Sequence, residues 1–513
     1  MEAFTQYLEQ FNEIGYVQET ISSLVYVSGL PSVHQQEMLI FENGVIGMVG
    51  NIAQELVEVF VFASEPLKVG TQVARTNQLF SIPVGEEYLG QVIDPFGKLL
   101  DKFLTLKLPK TMRQIDSPPG DISTRQRVSR TFDTGITLVD ILITLGKGQR
   151  ELIIGDRKTG KTNFLFQTLV TQARQGAICI YAAIGKKRLD IKSAEEYFKK
   201  QNILNQTVIM AATSDDPASI IYITPYCAMT LAEYFRDQGH DVVLVLDDLY
   251  THAKFYRELS LLGKRFPARN SYPADIFYTH ARLLERAGNF VSPDGQERAI
   301  TCLPVAETVQ GDMSGYIQTN LMSMTDGHIY FDIDSFTQGR RPAINPFLSV
   351  SRVGRQTQTD LKRSISREVL SFLTLHERME RFSHFGAEVT PTIRDTLSTG
   401  ERIQHFFDQK TDIILDSNLQ LFLFTILWFG YWNNKPFEQM GDEIEQLIKI
   451  YNTDTDFQHK VLQMISANKS LNDFMRIIAK TVVPFLNQLF PPPSPFNSVT
   501  SNVQTTDQAK KQT

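Results

Sequence analysis

Residues 155–162 read GDRKTGKT, and they satisfy the pattern G-x-x-x-x-G-K-[ST]. Gly155 and Gly160 leave room for backbone N–H groups to wrap an anion, because no Cβ stands in the way. Asp156, Arg157, Lys158 and Thr159 complete the loop between them. A short apolar run, ELII (151–154), leads into it, and an apolar helical pattern, TNFLFQTLVTQARQ, leaves from Thr162. The positive end of that helix would point at phosphates. Lys161 is placed to reach the β- and γ-phosphates and the Thr162 hydroxyl to hold Mg²⁺. The expected ligand is a nucleotide polyphosphate with Mg²⁺.

Working outward, AICIYAAIG (177–185), TVIMAAT (207–213) and DVVLVLDD (241–248) are continuous apolar runs separated by longer helical patterns such as PYCAMTLAEYFRDQG. Strands of this kind between helices predict a parallel sheet covered on both faces. We place this P-loop domain at 118–366. Asp247 closes the run VVLVL, where a carboxylate at the end of a sheet strand can hold a metal beside a phosphate loop. Asp248 is expected to cap the next helix.

The flanks differ. Residues 20–117 hold short β-branched runs broken by Gly, Pro and Asn, among them SLVYVSGL, EMLIFENGVIGMVG and VEVFVFA, which predicts a small β-barrel. Residues 1–19 are read as an N-terminal arm. From 367 to 490 helical patterns such as REVLSFLTLHERMERFSHFG dominate, predicting an α-helical bundle. The Pro- and Ser/Thr/Gln-rich stretch 491–513 is read as a disordered tail. The fold class is therefore α/β: N-terminal β-barrel, central RecA-like parallel sheet, C-terminal helical bundle.

Composition narrows the function classes. Fifty-one basic against 57 acidic side chains give a net charge of −6, which argues against a dedicated nucleic-acid binder. Three scattered cysteines form neither a disulfide framework nor a zinc motif, so a cytoplasmic setting is expected. The most apolar window, LQLFLFTILWFGYW (419–432), is shorter than a membrane span and contains Gln420; a buried core helix is expected, with a partner-docking surface as the alternative.

Several further segments occur in order: PVGEEYLGQVID, GKGQRELIIG, AAIGKKR, LDDLYTHAKFYRELSLL, YPADIFYTHARLLERAG, SGYIQTNLMSMTDGHIY and RRPAINPFLSVSRVG. With GDRKTGKT they resemble the alpha subunits of F-type rotary ATP synthases over roughly residues 20–410. The resemblance implies a non-catalytic, ATP-binding chain that alternates with catalytic beta-type subunits in a hexameric ring around a gamma-type central stalk. It would sit at the inner face of the cell membrane only through its partners. A paralogous rotary-type ATPase serving motility or transport would share these head motifs, so that alternative stays open.

Chemistry supports the alpha side. Catalytic members carry a Glu shortly after the second core strand, whereas this chain has Gly185-Lys186-Lys187-Arg188. A lysine cannot polarise the attacking water as a carboxylate does. The same residues argue against a self-sufficient homohexameric ATPase. By the resemblance, Arg352 in PAINPFLSVSR is the arginine finger lent to the neighbouring beta site. Ser349 matches a position needed for activity, and Arg341 an arginine near the phosphates. Gln409 matches one of two adenine-pocket glutamines. The second is replaced by Thr411, and Lys158 stands where a glutamine is usual. The N-terminal arm looks short for the usual contact with a peripheral stalk.

Overall fold

The computed structural model describes residues 2–101, 106–292, 294–384, 390–411 and 413–491. The stretch read as a disordered tail lies outside them apart from Pro491. The chain divides into two compact units: Met1–Gln358 with Asp408–Ile414, and Thr359–Phe407 with the residues from Leu415 onward.

The first unit opens with helix α1 (Glu2–Phe11) and six strands: β1 (Ile14–Ile21), β2 (Leu24–Ser28), β3 (Glu37–Phe41), β4 (Ile46–Ile52), β5 (Val57–Val61) and β6 (Gln72–Leu79). They close into a barrel in the order β1-β2-β5-β4-β3-β6, so no edge is left to pair with another chain. Strand β1 begins at Ile14, and the 19/20 limit of the predicted arm therefore falls inside it. The interior is filled largely by valines, including Val25, Val27, Val49, Val59 and Val73. Branched side chains suit so narrow a barrel, and Gly47 faces it because a Cβ there would come within 2.6 Å of Val59. Helix α1 lays Phe4 against Ile40 and Ala74 on the outside.

The central part of this unit is a sheet whose strands run, in spatial order, 350–351, 327–331, 151–155, 297–307, 242–247, 178–186, 207–213 and 92–93, with 288–291 added beside 297–307. The pairings between 327–331 and 92–93 are all parallel. The three predicted core runs are buried along nearly their whole length, as a sheet covered on both faces requires. The helix expected around PYCAMTLAEYFRDQG is longer than its periodicity suggested: it runs Ala218–Asp237 and carries Pro225 inside it. Buried packing on its apolar side outweighs the backbone bond that proline removes.

The second unit is helical: Asp360–His384, Pro391–Phe407, Ser417–Phe429, Phe437–Thr453, Thr455–Ser466 and shorter turns to Leu489. The apolar window is its central helix. The Asp416 carboxylate caps its start by accepting from Asn418 N and Leu419 N, and Gly430 ends it at φ +88°. Phe422, Leu423, Phe424 and Ile426 are buried, and the Gln420 amide donates to Leu415 O at 3.0 Å. Among the described residues, no helix is long and apolar enough to cross a membrane.

Candidate functional site

The strand Glu151–Gly155 is buried throughout and ends where the phosphate loop begins. Gly155 has φ +156°, and a Cβ on it would lie 2.4 Å from Phe331 O, so the chain can leave the sheet here only without a side chain. Lys158 (φ +63°) and Gly160 (φ +101°) turn the loop into the helix Lys161–Arg174. The first-turn N–H groups of that helix have no intrahelical partners and are available to an anion.

Lys161 is buried, and its ammonium donates to Gly155 O at 2.7 Å and Asp156 O at 2.6 Å. Burial lowers its pKa below the ordinary lysine value. The Thr159 hydroxyl donates to Asp156 O at 2.8 Å. The Asp156 carboxylate turns away from the loop and accepts from the Thr308 hydroxyl and from Gly311 N at 3.0 Å. It therefore fastens the loop to the segment following the strand Glu297–Glu307 rather than pairing with Lys158. Arg157 pairs with Glu307, Nε to Oε2 at 2.8 Å.

In front of the loop lies a cavity of about 490 Å³ lined by Lys158, Lys161, Thr162, Lys186, Asp247, Asp248, Glu307 and Arg341, among others. A second cavity of about 80 Å³ adjoins it through Gly160, Phe336 and Arg341, and is further lined by Phe331, Pro342, Gln409 and Thr411. The Arg341 guanidinium lies over the Phe336 ring, 3.7 Å from its centre, and donates to Phe336 O at 3.0 Å. Gln409 stands in the wall, but its amide is spent there. Its oxygen accepts from Thr137 N and Oγ1, both at 3.0 Å, and its nitrogen donates to Gly135 O at 2.8 Å and Ile413 O at 2.6 Å. What Gln409 offers this cavity is its shape rather than a free hydrogen-bonding edge.

The metal expectation at Thr162 and Asp247 can be tested on the donors. Thr162 is exposed to the larger cavity. Asp247, however, has both oxygens occupied: Oδ1 lies 2.7 Å from Lys186 Nζ, and Oδ2 accepts the Tyr181 hydroxyl at 2.7 Å. Asp248 caps the helix Leu249–Leu262 by accepting Thr251 N at 2.5 Å, and its other oxygen lies 3.3 Å from Lys186 Nζ. Burial works against the charge on Lys186, but the two carboxylates outweigh it and hold its pKa above the usual lysine value. A cation carried by Asp247 does not fit this arrangement.

The other predicted residues lie elsewhere. Ser349 Oγ donates to Asn345 O at 2.7 Å and accepts Tyr330 N at 2.9 Å, securing the turn beside the strand 327–331. Arg352 is exposed, with its backbone N–H bonded to Asp326 O at 3.0 Å. Neither residue lines the two cavities. The wholly buried Glu151, at the start of the loop strand, has its pKa raised by burial, against which the hydrogen bond from the Gln149 amide and, less strongly, the charge of Arg352 pull it down.

Tyr181, Glu307 and Phe336 were missed in the sequence. Two of them carried a readable signal. A tyrosine inside the run AICIYAAIG needs a buried partner for its hydroxyl, and Glu307 closes an apolar strand just as Asp247 does. Phe336 carried none.

Comparison with known proteins gives two family matches. Residues 135–351 match the nucleotide-binding domain of the ATP synthase alpha/beta family, and residues 358–483 match the C terminal domain of the ATP synthase alpha/beta chain. Similar curated proteins include the ATP synthase subunit alpha of Dictyoglomus turgidum, 38% identical over 440 residues, which are 86% of each chain. The subunit alpha of Limosilactobacillus fermentum is 39% identical over 403 residues, 78% of each chain. That of Acholeplasma laidlawii is 37% identical over 458 residues, 88% of this chain and 91% of the relative.

Proposed function

Because the chain belongs to the ATP synthase alpha/beta family, on the side of its alpha subunits, we propose that it holds ATP or ADP at its own phosphate loop without turning it over, and lends Arg352 to the site of a neighbouring beta-type subunit. The observation that carries this reading is the position of Arg352: exposed, and beside the end of the loop strand opposite the phosphate loop. A guanidinium there is out of reach of the chain's own nucleotide and free to enter a partner's site. There it would neutralise charge developing on the transferred phosphoryl group.

The chain's own site is built to bind rather than to cleave. Lys161, the loop amides and Arg341 face the same cavity and complement a polyphosphate. The place after the second core strand belongs to the ammonium of Lys186, which cannot accept a proton from water. In this reading the chain alternates with beta-type subunits around a gamma-type stalk and reaches the inner face of the membrane only through them.

Turnover and nucleotide content, measured on the chain alone and on the complex with its beta-type partner, test the proposal. The expected result is retained ATP with negligible hydrolysis by the chain alone, and hydrolysis in the complex. Steady turnover by the isolated chain, abolished in Lys161→Ala, would overturn it.

A further inference from the structure

The strand 178–186 ends in an irregularity: its pairing with 207–213 shifts between Ile184 and Lys186. Gly185 makes the shift possible, at φ +64° and with Thr251 Cγ2 only 3.0 Å from where a Cβ would stand. The displaced backbone brings the Lys186 side chain over the end of the strand Val242–Asp247. There Nζ meets Asp247 Oδ1 at 2.7 Å and Asp248 Oδ2 at 3.3 Å. The remaining oxygen of each carboxylate is taken by a protein donor, Tyr181 OH and Thr251 N. The Lys186 side chain keeps 23% of its surface and lines the same cavity as Lys161 and Thr162.

We propose that Lys186 is a resident cation that replaces the divalent metal in this site, so that the chain binds ATP or ADP as the free nucleotide. This inference rests on the nucleotide reading above. Two carboxylates facing a phosphate cavity must be neutralised before a polyphosphate can enter, and a divalent ion ordinarily does this. Here an ammonium at hydrogen-bond distance already does it. Mg²⁺ would have to displace a charge-assisted bond and sit beside a fixed positive charge, while it keeps its own water shell tenaciously. The ammonium can instead donate one of its three N–H bonds to a phosphate oxygen while the other two hold Asp247 and Asp248.

The test is equilibrium binding of ATP to the purified full-length chain, stripped of nucleotide, in excess EDTA and in excess Mg²⁺. The affinities in the two conditions should agree within about threefold, a difference small against the tenfold that 1.4 kcal/mol represents. In Lys186→Gln, ATP should bind at least about tenfold more tightly with Mg²⁺ than in EDTA. A second readout is Mn²⁺ retained with ATP after gel filtration: none with the native chain, stoichiometric with Lys186→Gln. Native binding that weakens at least about tenfold in EDTA, or Mn²⁺ retained by the native chain, overturns the inference and leaves the nucleotide reading standing. Absence of ATP binding in both conditions would instead sink the nucleotide reading, and this inference with it. The native comparison decides the matter even if Lys186→Gln fails to fold.

Discussion

Arg352 and Gly155 lie at opposite ends of one pair of strands. The backbone N–H of Arg352 is bonded to Asp326, immediately before the strand Gly327–Phe331, whereas Gly155 pairs with Phe331 at that strand's far end. Four residue steps separate the two ends, roughly 13 Å at the rise of a parallel strand. The chain thus keeps its phosphate loop at one end of the sheet and its exposed arginine beside the other.

In the complex with a beta-type partner, Arg352→Ala should lower ATP turnover by on the order of 10³-fold, the low end for an arginine finger. ATP retained by this chain's own loop should not change. Parallel assays of hydrolysis and of nucleotide bound to the isolated variant check both halves. Loss of retention in the isolated variant would mean that Arg352 serves its own chain.

Lys161→Ala removes the one buried ammonium in the loop, which reaches both Gly155 O and Asp156 O. ATP binding to the isolated chain should weaken by about 100-fold, the loss of a charge-assisted contact of roughly 3 kcal/mol. Calorimetric titration with ATP measures it. An unchanged affinity would move the nucleotide elsewhere.

Stability should fall in mild acid. His252 and His280 are fully buried and meet through Nδ1 and Nε2 at 3.0 Å, while His252 Nε2 lies 2.9 Å from Tyr222 O. Burial holds the His252 pKa at about 4 and depresses that of His280 well below the usual value. The unfolded chain takes up a proton near 6.5 and the folded chain does not. Stability is therefore full above that pH and declines as pH falls toward 4, with His252 alone accounting for about 2 kcal/mol near pH 5. Urea unfolding across this range should show the decline, and His252→Gln should reduce it.

Arg286→Met should destabilise the first unit by about 3–5 kcal/mol. The buried guanidinium holds Glu233 through two bonds, of 2.9 and 2.6 Å, and donates to Ile115 O at 2.6 Å. Without it a carboxylate is left buried and uncompensated. Chemical denaturation reads the loss, and adding Glu233→Gln should recover part of it.

Much of this was legible beforehand because it is local. GDRKTGKT, the apolar runs around it and the change to a helical period needed only neighbours in the chain, but the limit at 366/367 falls inside a helix that already begins at Asp360. Asp248 as a helix cap was readable for the same reason. The Asp156 and Gln409 partners were not. Thr308 lies 152 positions from Asp156, and Thr137 lies 272 positions from Gln409.

The sequence by itself determined a phosphate loop between a buried strand and a helix, a parallel sheet, a barrel before it and helices after it. Periodicity and glycine placement are properties of short segments. Only the tertiary structure decided that Lys186 meets Asp248, 62 positions away, together with Asp247. It alone also put Arg352 and the loop at opposite ends of the strands. Strand order and register set both relationships, and these depend on the whole sheet packing at once rather than on any one segment.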